Sequence, residues 1–178
     1  MKIKTEPKLL RRTLATTLDY GLYLAFYIWL IVTYGTPNDE GGYSLNDARG
    51  LWVFVVWLFY FPVIESIRGQ TLGKFILGLK VVTKDGKPIS FAQAFKRRLV
   101  DMIDFFFFGI VAFITIKNTP DHQRLGDLLA NTIVIGGENI DCPNCYEQLT
   151  LSADELLKHE FACPKCNVTT KLQDAPVT

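Results

Sequence analysis

The chain has 178 residues, of which 49% are hydrophobic and 21% charged, with a formal net charge of +1 and a mean hydropathy of +0.18. This composition excludes disorder as the main state and excludes collagen-like or coiled-coil chains. The near-neutral charge gives no electrostatic reason to expect a nucleic-acid partner.

The averages hide a segregation: apolar residues form three long runs, with the charges between them. The first run, residues 14–34, carries one charge, Asp19. A spanning helix needs about 20 mostly apolar residues to cross roughly 30 Å of hydrocarbon. Run one meets this, and it follows a basic arm (Lys2, Lys4, Lys8, Arg11, Arg12). A cleaved signal peptide would share that basic flank. This apolar stretch is too long for one, and no small-residue cleavage pattern follows Tyr34. Run two, residues 50–67, ends near Glu65. Run three, residues 99–116, opens with Asp101 and Asp104 and continues into Phe105 to Phe108. Trp29, Trp52 and Trp57 fit interfacial or lipid-facing aromatics. The alternative of buried helices in a soluble protein fails, because the remaining chain is too short to cover three such runs.

Orientation follows from the basic residues. The loop 35–48 holds Asp39, Glu40 and Asp47 and no Lys or Arg. The loop 68–98 holds Arg68, Lys74, Lys80, Lys84, Lys87, Lys96, Arg97 and Arg98. The positive-inside rule places the N-terminus and the second loop in the cytoplasm. Gly109, inside run three, is a candidate break in a re-entrant hairpin. Such a hairpin would return the chain to the cytoplasmic side, the expected location of the C-terminus. Irregular backbone at membrane depth is tolerated only where protein or a cavity surrounds it.

Within the second loop, Leu77 to Ser90 reads as a β-hairpin turning at Asp85-Gly86, with Pro88 confining its second strand to an edge. Ser90 and Gln93 form a capping-box pattern, so a helix starts at Phe91. The β-branched stretch 132–135 is a candidate extra strand. Lys74 and Lys80 are candidates for holding anionic lipid headgroups, each worth about 1 kcal/mol near a charged surface.

Arg12 and Asp19 stand seven residues apart, and so do Arg97 and Asp104. On a helix this spacing puts both groups on one face, two turns apart. Intramembrane carboxylates are costly and by default face a bundle interior or a wet cavity. One reading has Asp19 and Asp104 sharing a polar site with the arginines, able to bind a cation or exchange a proton. The other is structural, with Arg–Asp pairs locking the helices together.

The segments Arg12-x-x-Ala15-x-x-x-Asp19, Gly69-Gln-Thr-Leu-Gly73-Lys74, Gly78-Leu-Lys-Val-Val, Arg97 before Asp104, and Gln123-Arg124-Leu-Gly126-Asp127 occur in that order. Together they resemble the RDD family of small bacterial membrane proteins, named for an arginine and two aspartates. The resemblance implies a polytopic protein of the bacterial inner membrane, without a demonstrated enzymatic activity and proposed in some members to be a transporter or sodium/proton exchanger. The first arginine and aspartate correspond to Arg12 and Asp19. The second aspartate corresponds to Asp104 or Asp127.

All four cysteines lie in the tail, as Cys142-x-x-Cys145 and Cys163-x-x-Cys166 with 17 residues between the pairs. Two such knuckles match a four-thiolate module closed around structural Zn²⁺, rather than two disulfides or a redox pair. Ser152 and Glu155 cap a helix from Ala153, on which His159 is a surface residue. The tail is too acidic for nucleic acid.

The expected architecture is therefore α-helical and polytopic, with three apolar segments (the third a candidate re-entrant one), a small cytoplasmic β-hairpin and a C-terminal zinc ribbon. Residues 1–136 form the membrane part and residues 137–178 the ribbon. The functional expectation is a transporter or ion/proton exchanger. Three segments seldom enclose a pathway, so it would act as a homo-oligomer in the lipid bilayer. The alternative is a membrane adaptor or assembly factor that binds a protein partner through its zinc ribbon. No nucleophile–base pair or phosphate loop is readable, so an enzyme is not expected.

Overall fold

The computed structural model describes residues 7–38, 41–45, 48–107 and 109–172. Lys2 and Lys4 of the arm, Asp39, Glu40 and Asp47 of the first loop, and Phe108 lie outside the described residues.

Helix α1 (Leu9–Tyr34) and a second helical stretch, Arg49–Arg68, are long and apolar enough to cross a membrane. Strands β1 (Thr36–Pro37) and β2 (Tyr43–Ser44) pair antiparallel in the loop joining them. The second stretch is not a uniform α-helix. It begins as α2 (Ala48–Leu58), widens into a π turn over Phe59–Val63, and resumes as α3 (Ile64–Arg68). Pro62 sits inside the π turn, where it removes a backbone donor and displaces the ladder. Trp29 and Trp52 are exposed, while Trp57 packs against Phe61 and Phe95.

The chain turns at Gly69 and forms the short α4 (Leu72–Ile76), which packs against α1. Gly73 makes this contact possible. A Cβ there would lie 2.4 Å from the Ala15 carbonyl oxygen.

Strand β3 (Leu79–Thr83) does not turn back into the expected hairpin. Thr83 N–H bonds Lys87 O and closes a tight turn, but no strand follows it. The partner of β3 is β4 (Thr132–Gly136), antiparallel, with Val81 opposite Val134 and Val82 opposite Ile133. Pro88 cannot donate to a ladder, whereas the 132–136 segment supplies an unbroken set of donors. Every residue of β4 is buried. That follows from coverage of both faces of the ribbon. Leu79, Val81 and Val134 pack with Ala15, Ile89 and Ala94, while Val82, Ile133 and Ile135 pack with Ala153.

Helix α5 (Phe91–Phe106) starts at the Ser90 cap, with Ser90 Oγ accepting from Gln93 N–H and Gln93 Oε1 accepting from Ser90 N–H. The third apolar run is broken. After α5 the chain passes Gly109 at φ +75 and enters α6 (Ile110–Asn118). At 1.5 Å per residue, the nine residues of α6 reach about 14 Å, half of a bilayer core. Both outer ends of this pair reach the same layer of the molecule. Arg97 near the start of α5 meets Asp127, and the carbonyl of His122 after α6 accepts from Arg12 on α1. The third apolar run is thus two helices that meet at Gly109, the position read from the sequence as a candidate break.

Helix α7 (Leu125–Ala130) leads into β4. The tail follows as β5 (Glu138–Asp141), β6 (Gln148–Leu151), α8 (Ala153–Lys158), β7 (Glu160–Ala162) and β8 (Thr169–Lys171), with β5 paired to β6 and β7 to β8. Its own core is Ile140, Leu151, Leu156 and Phe161. Through α8 it sits on the β3–β4 ribbon, so the second loop and the tail share one end of the helices.

Candidate functional site

Around the start of α5 lies a layer of charge. Arg97, fully buried, is 2.8 Å from Asp127, 4.0 Å from Glu65, and donates to Thr132 Oγ1 at 3.1 Å. Arg98 reaches Glu65 at 3.1 Å and Asp101 at 2.9 Å, with its guanidinium 4.7 Å above the Phe61 ring. Arg124 reaches Asp101 at 3.0 Å and Asp127 at 3.6 Å. Lys74 pairs with Glu65. Arg12 is 3.8 Å from Asp127 and donates to the carbonyls of His122 (2.7 Å) and Val134 (3.1 Å).

Asp127 is the hub. Burial alone would raise its pKa, but Arg97, Arg124 and Arg12 outweigh burial and hold it below the usual carboxylate range. Burial pushes the Lys74 ammonium down to about 7 against the pull of Glu65, and Arg98, Arg97 and Arg124 act with burial.

The two Arg–Asp spacings do not give two Arg–Asp pairs. Asp19 is away from Arg12, in a cradle of its own. It accepts from the hydroxyls of Tyr60 (2.8 Å) and Thr71 and from the backbone N–H of Gly73 (2.8 Å). Three donors satisfy a buried carboxylate without any cation, so Asp19 ties α1 to α4 and to the π turn. Asp104 is different again. It is 8% exposed, neither of its oxygens has a hydrogen-bond partner, and among the described residues no cation lies within ion-pair distance of it. Asp19 and Asp104 therefore do not share a site.

Asp104 lines a cavity of about 540 Å³. Thr13 and Thr16 of α1 form one wall, Ala112, Phe113 and Ile116 of α6 form the other, and the charged layer is the floor. The site thus brings together Arg12, Arg97, Asp104 and Asp127 and leaves Asp19 out. Lys74 and Lys80 are not free for lipid headgroups, since Lys74 is buried on Glu65 and Lys80 pairs with Asp154 of α8. Sequence reasoning noted Glu65, Asp101 and Arg124 without assigning them to the layer, and gave Arg98 only to orientation. The one available signal was a pair of acids, Glu65 and Asp101, at the ends of apolar runs beside a basic loop.

In the tail, the Sγ atoms of Cys142, Cys145, Cys163 and Cys166 lie within 4.8 Å of one another. Two of the separations are 3.8 Å (Cys142–Cys166) and 3.6 Å (Cys145–Cys163). Ligands about 2.3 Å from a tetrahedral ion would be about 3.8 Å apart, so the thiols fit one metal ion. Both knuckles are built alike. Tyr146 N–H bonds Cys142 O and Asn167 N–H bonds Cys163 O, with Tyr146 (φ 56) and Asn167 (φ 54) left-handed. His159 is exposed and caps α8.

A model of the RDD family matches residues 6–131, which hold α1 to α7, the charged layer and the cavity. The chain belongs to the RDD family. Over 128 residues it is 32% identical to the uncharacterized protein YckC of Bacillus subtilis (strain 168), covering 67% of this chain and 78% of the relative. It is 29% identical over 101 residues to the uncharacterized membrane protein YteJ of the same organism, covering 56% of this chain and 59% of the relative. An uncharacterized protein of Haemophilus influenzae is 29% identical over 100 residues, covering 54% and 64%. No solved structure matches. The cysteine module lies beyond the part that the family model matches.

Proposed function

We propose that this RDD-family chain is an integral membrane carrier in which Asp104 alternately holds a proton and a cation. The observation that carries the reading is the unpaired carboxylate in an apolar-walled cavity. Every other carboxylate of the charged layer is held by arginine or lysine, and Asp19 is saturated by hydrogen bonds. A carboxylate so placed is poorly solvated when ionised, which favours exchange of one positive charge for another.

Membrane residence is supported by two helices of spanning length, by the family and by the membrane protein YteJ among the relatives. The basic second loop and the tail share one end of these helices, so the positive-inside rule supports a cytoplasmic ribbon and N-terminus. In this reading α5 and α6 form a re-entrant hairpin. Two spans and a hairpin are few to enclose a pathway alone, which favours a homo-oligomer. The cysteine module holds Zn²⁺ as a closed structural site with no open position for catalysis, and no enzymatic role is proposed. The ribbon already has a partner in its own chain, the β3–β4 pair, which favours a cap on the membrane part over a free adaptor.

The test is proton flux in proteoliposomes under sodium, potassium, lithium, ammonium and alkylammonium gradients. Wild type should carry flux, and Asp104→Asn should lose it while eluting as a folded protein in detergent. Absence of flux with all of these cations, or full flux in Asp104→Asn, overturns the carrier reading.

A further inference from the structure

The chemistry around Asp104 narrows what its cavity accepts. A hard metal ion asks for about six oxygen ligands. Among the described residues the cysteines are the only group of three or more potential ligands placed to hold a metal ion, and no oxygen cage surrounds Asp104. The nearest carboxylate on the same helix, Asp101, is taken by Tyr20, Arg98 and Arg124. What the cavity offers is one buried carboxylate whose two oxygens have no hydrogen-bond partner, between walls that include Thr13, Thr16, Ala112, Phe113 and Ile116. Its volume of about 540 Å³ lies within the range of small-molecule sites, roughly 300–1,000 Å³.

We propose that the cavity binds an organic ammonium ion with a compact apolar body, its N–H groups on Asp104 and its hydrocarbon between α1 and α6. The inference rests on the reading of Asp104 as the working carboxylate of the site, and it names the class of cation. An ammonium supplies the hydrogen-bond donors that Asp104 lacks, in a charge-assisted contact that low dielectric strengthens. The apolar body replaces water on walls that cannot hydrogen-bond it. The floor argues in the other direction. Arg12, Lys74, Arg97, Arg98 and Arg124 outnumber Glu65, Asp101, Asp104 and Asp127 by one, so an organic anion is the competing ligand. Each of those five cations already lies within 4.0 Å of a carboxylate other than Asp104, whereas Asp104 has no ion pair among the described residues, so the unpaired group at the cavity is the carboxylate.

Three probes with one hydrocarbon body decide between them: 1-adamantylammonium, 1-adamantanol and adamantane-1-carboxylate. Their binding to the full chain in lipid nanodiscs is measured by calorimetry. The ammonium should bind at least about tenfold tighter than the alcohol. Asp104→Asn should reduce that ratio to about one, and Asp19→Glu, outside the cavity, should leave it unchanged where the variant folds. Ala112→Phe, which fills the cavity and keeps the carboxylate, should weaken the ammonium as well as the alcohol. Tighter binding of the carboxylate probe overturns the proposal, as does an ammonium preference that survives Asp104→Asn. Binding and flux fail separately. Flux dependent on Asp104 with no ammonium preference sinks this inference alone. Ammonium binding dependent on Asp104 without flux sinks the carrier reading and leaves the binding site standing.

Discussion

Asp19, Asp104 and Asp127 are three buried aspartates with three different surroundings, and each surrounding makes its own prediction. Asp19 accepts three hydrogen bonds and has no ion-pair partner among the described residues, an arrangement that fits a structural role. Asp19→Asn would turn an amide N–H towards a donor and should cost about 1–3 kcal/mol. Detergent unfolding should show a loss of that size, and an unchanged midpoint would contradict the cradle. Asp127 sits below its ordinary pKa, so it binds fewer protons folded than unfolded. Its contribution to stability is therefore present above the unfolded value, about 4, and lost as pH falls through the lower folded one. Thermal stability should decline with acid below pH of about 4, and in Asp127→Asn the decline should be shallower from a lower starting point. A third residue carries backbone cost. Tyr146 is left-handed and largely exposed, at a position whose counterpart in the second knuckle is Asn167. Asn tolerates this region better than Tyr. Tyr146→Asn should stabilise the cysteine module by about 0.5–1 kcal/mol, measured by chelator-induced unfolding.

Elements with local signals were readable, and those with distant partners were not. Ser90 with Gln93 and Ser152 with Glu155 start helices where their spacing says, because a capping box is complete within four residues. The Cys-x-x-Cys knuckles are local in the same way. The partner of β3 is some fifty residues away; the β-branched composition of 132–135 marks it as a candidate extra strand, but no local feature of 79–83 shows that it replaces the hairpin's own second strand. The buried β4 has an apolar run without alternation because both faces are covered, so period gives no hint of which side faces what. The Arg–Asp spacing misled for a plain geometric reason. Seven residues on a helix rise about 10 Å, beyond direct ion-pair reach, so each group takes a partner from another element. Those partners come from loops and short helices placed by glycine. At Gly73 the backbone of α4 touches α1, and a methyl group would meet both the Ala15 carbonyl and the Asp19 carboxylate. Gly73→Ala should separate α1 from α4 and loosen the Asp19 cradle. The direct readout is hydrogen exchange at residue 73, whose amide is held by Asp19 and should exchange faster in the variant.

At the scale of the molecule, β4 joins the two halves. Its inner side receives Arg97 on Thr132 Oγ1 and Arg12 on the Val134 carbonyl, and its outer side packs under Ala153 of α8. Lys8 reinforces the junction by donating to the Gly136 and Gly137 carbonyls. The tail is small, and its core of Ile140, Leu151, Leu156 and Phe161 is modest, so most of its folding free energy should come from the metal ion. Removing the ion should therefore act beyond the tail. Once α8 loosens, Ile133 and Ile135 lose their cover, and the strand that holds two arginines of the charged layer becomes a single-faced ribbon. Chelation, or Cys142→Ser with Cys163→Ser, should raise hydrogen exchange first in residues 138–172 and then in β4. The Asp19 cradle, which depends on α1, α4 and the π turn, should keep its protection. Exchange confined to the tail, with β4 unchanged, would mean that the ribbon rests on the membrane part without supporting it. Coupled exchange would make the metal ion a determinant of the cavity floor some distance away, through one strand with two covered faces.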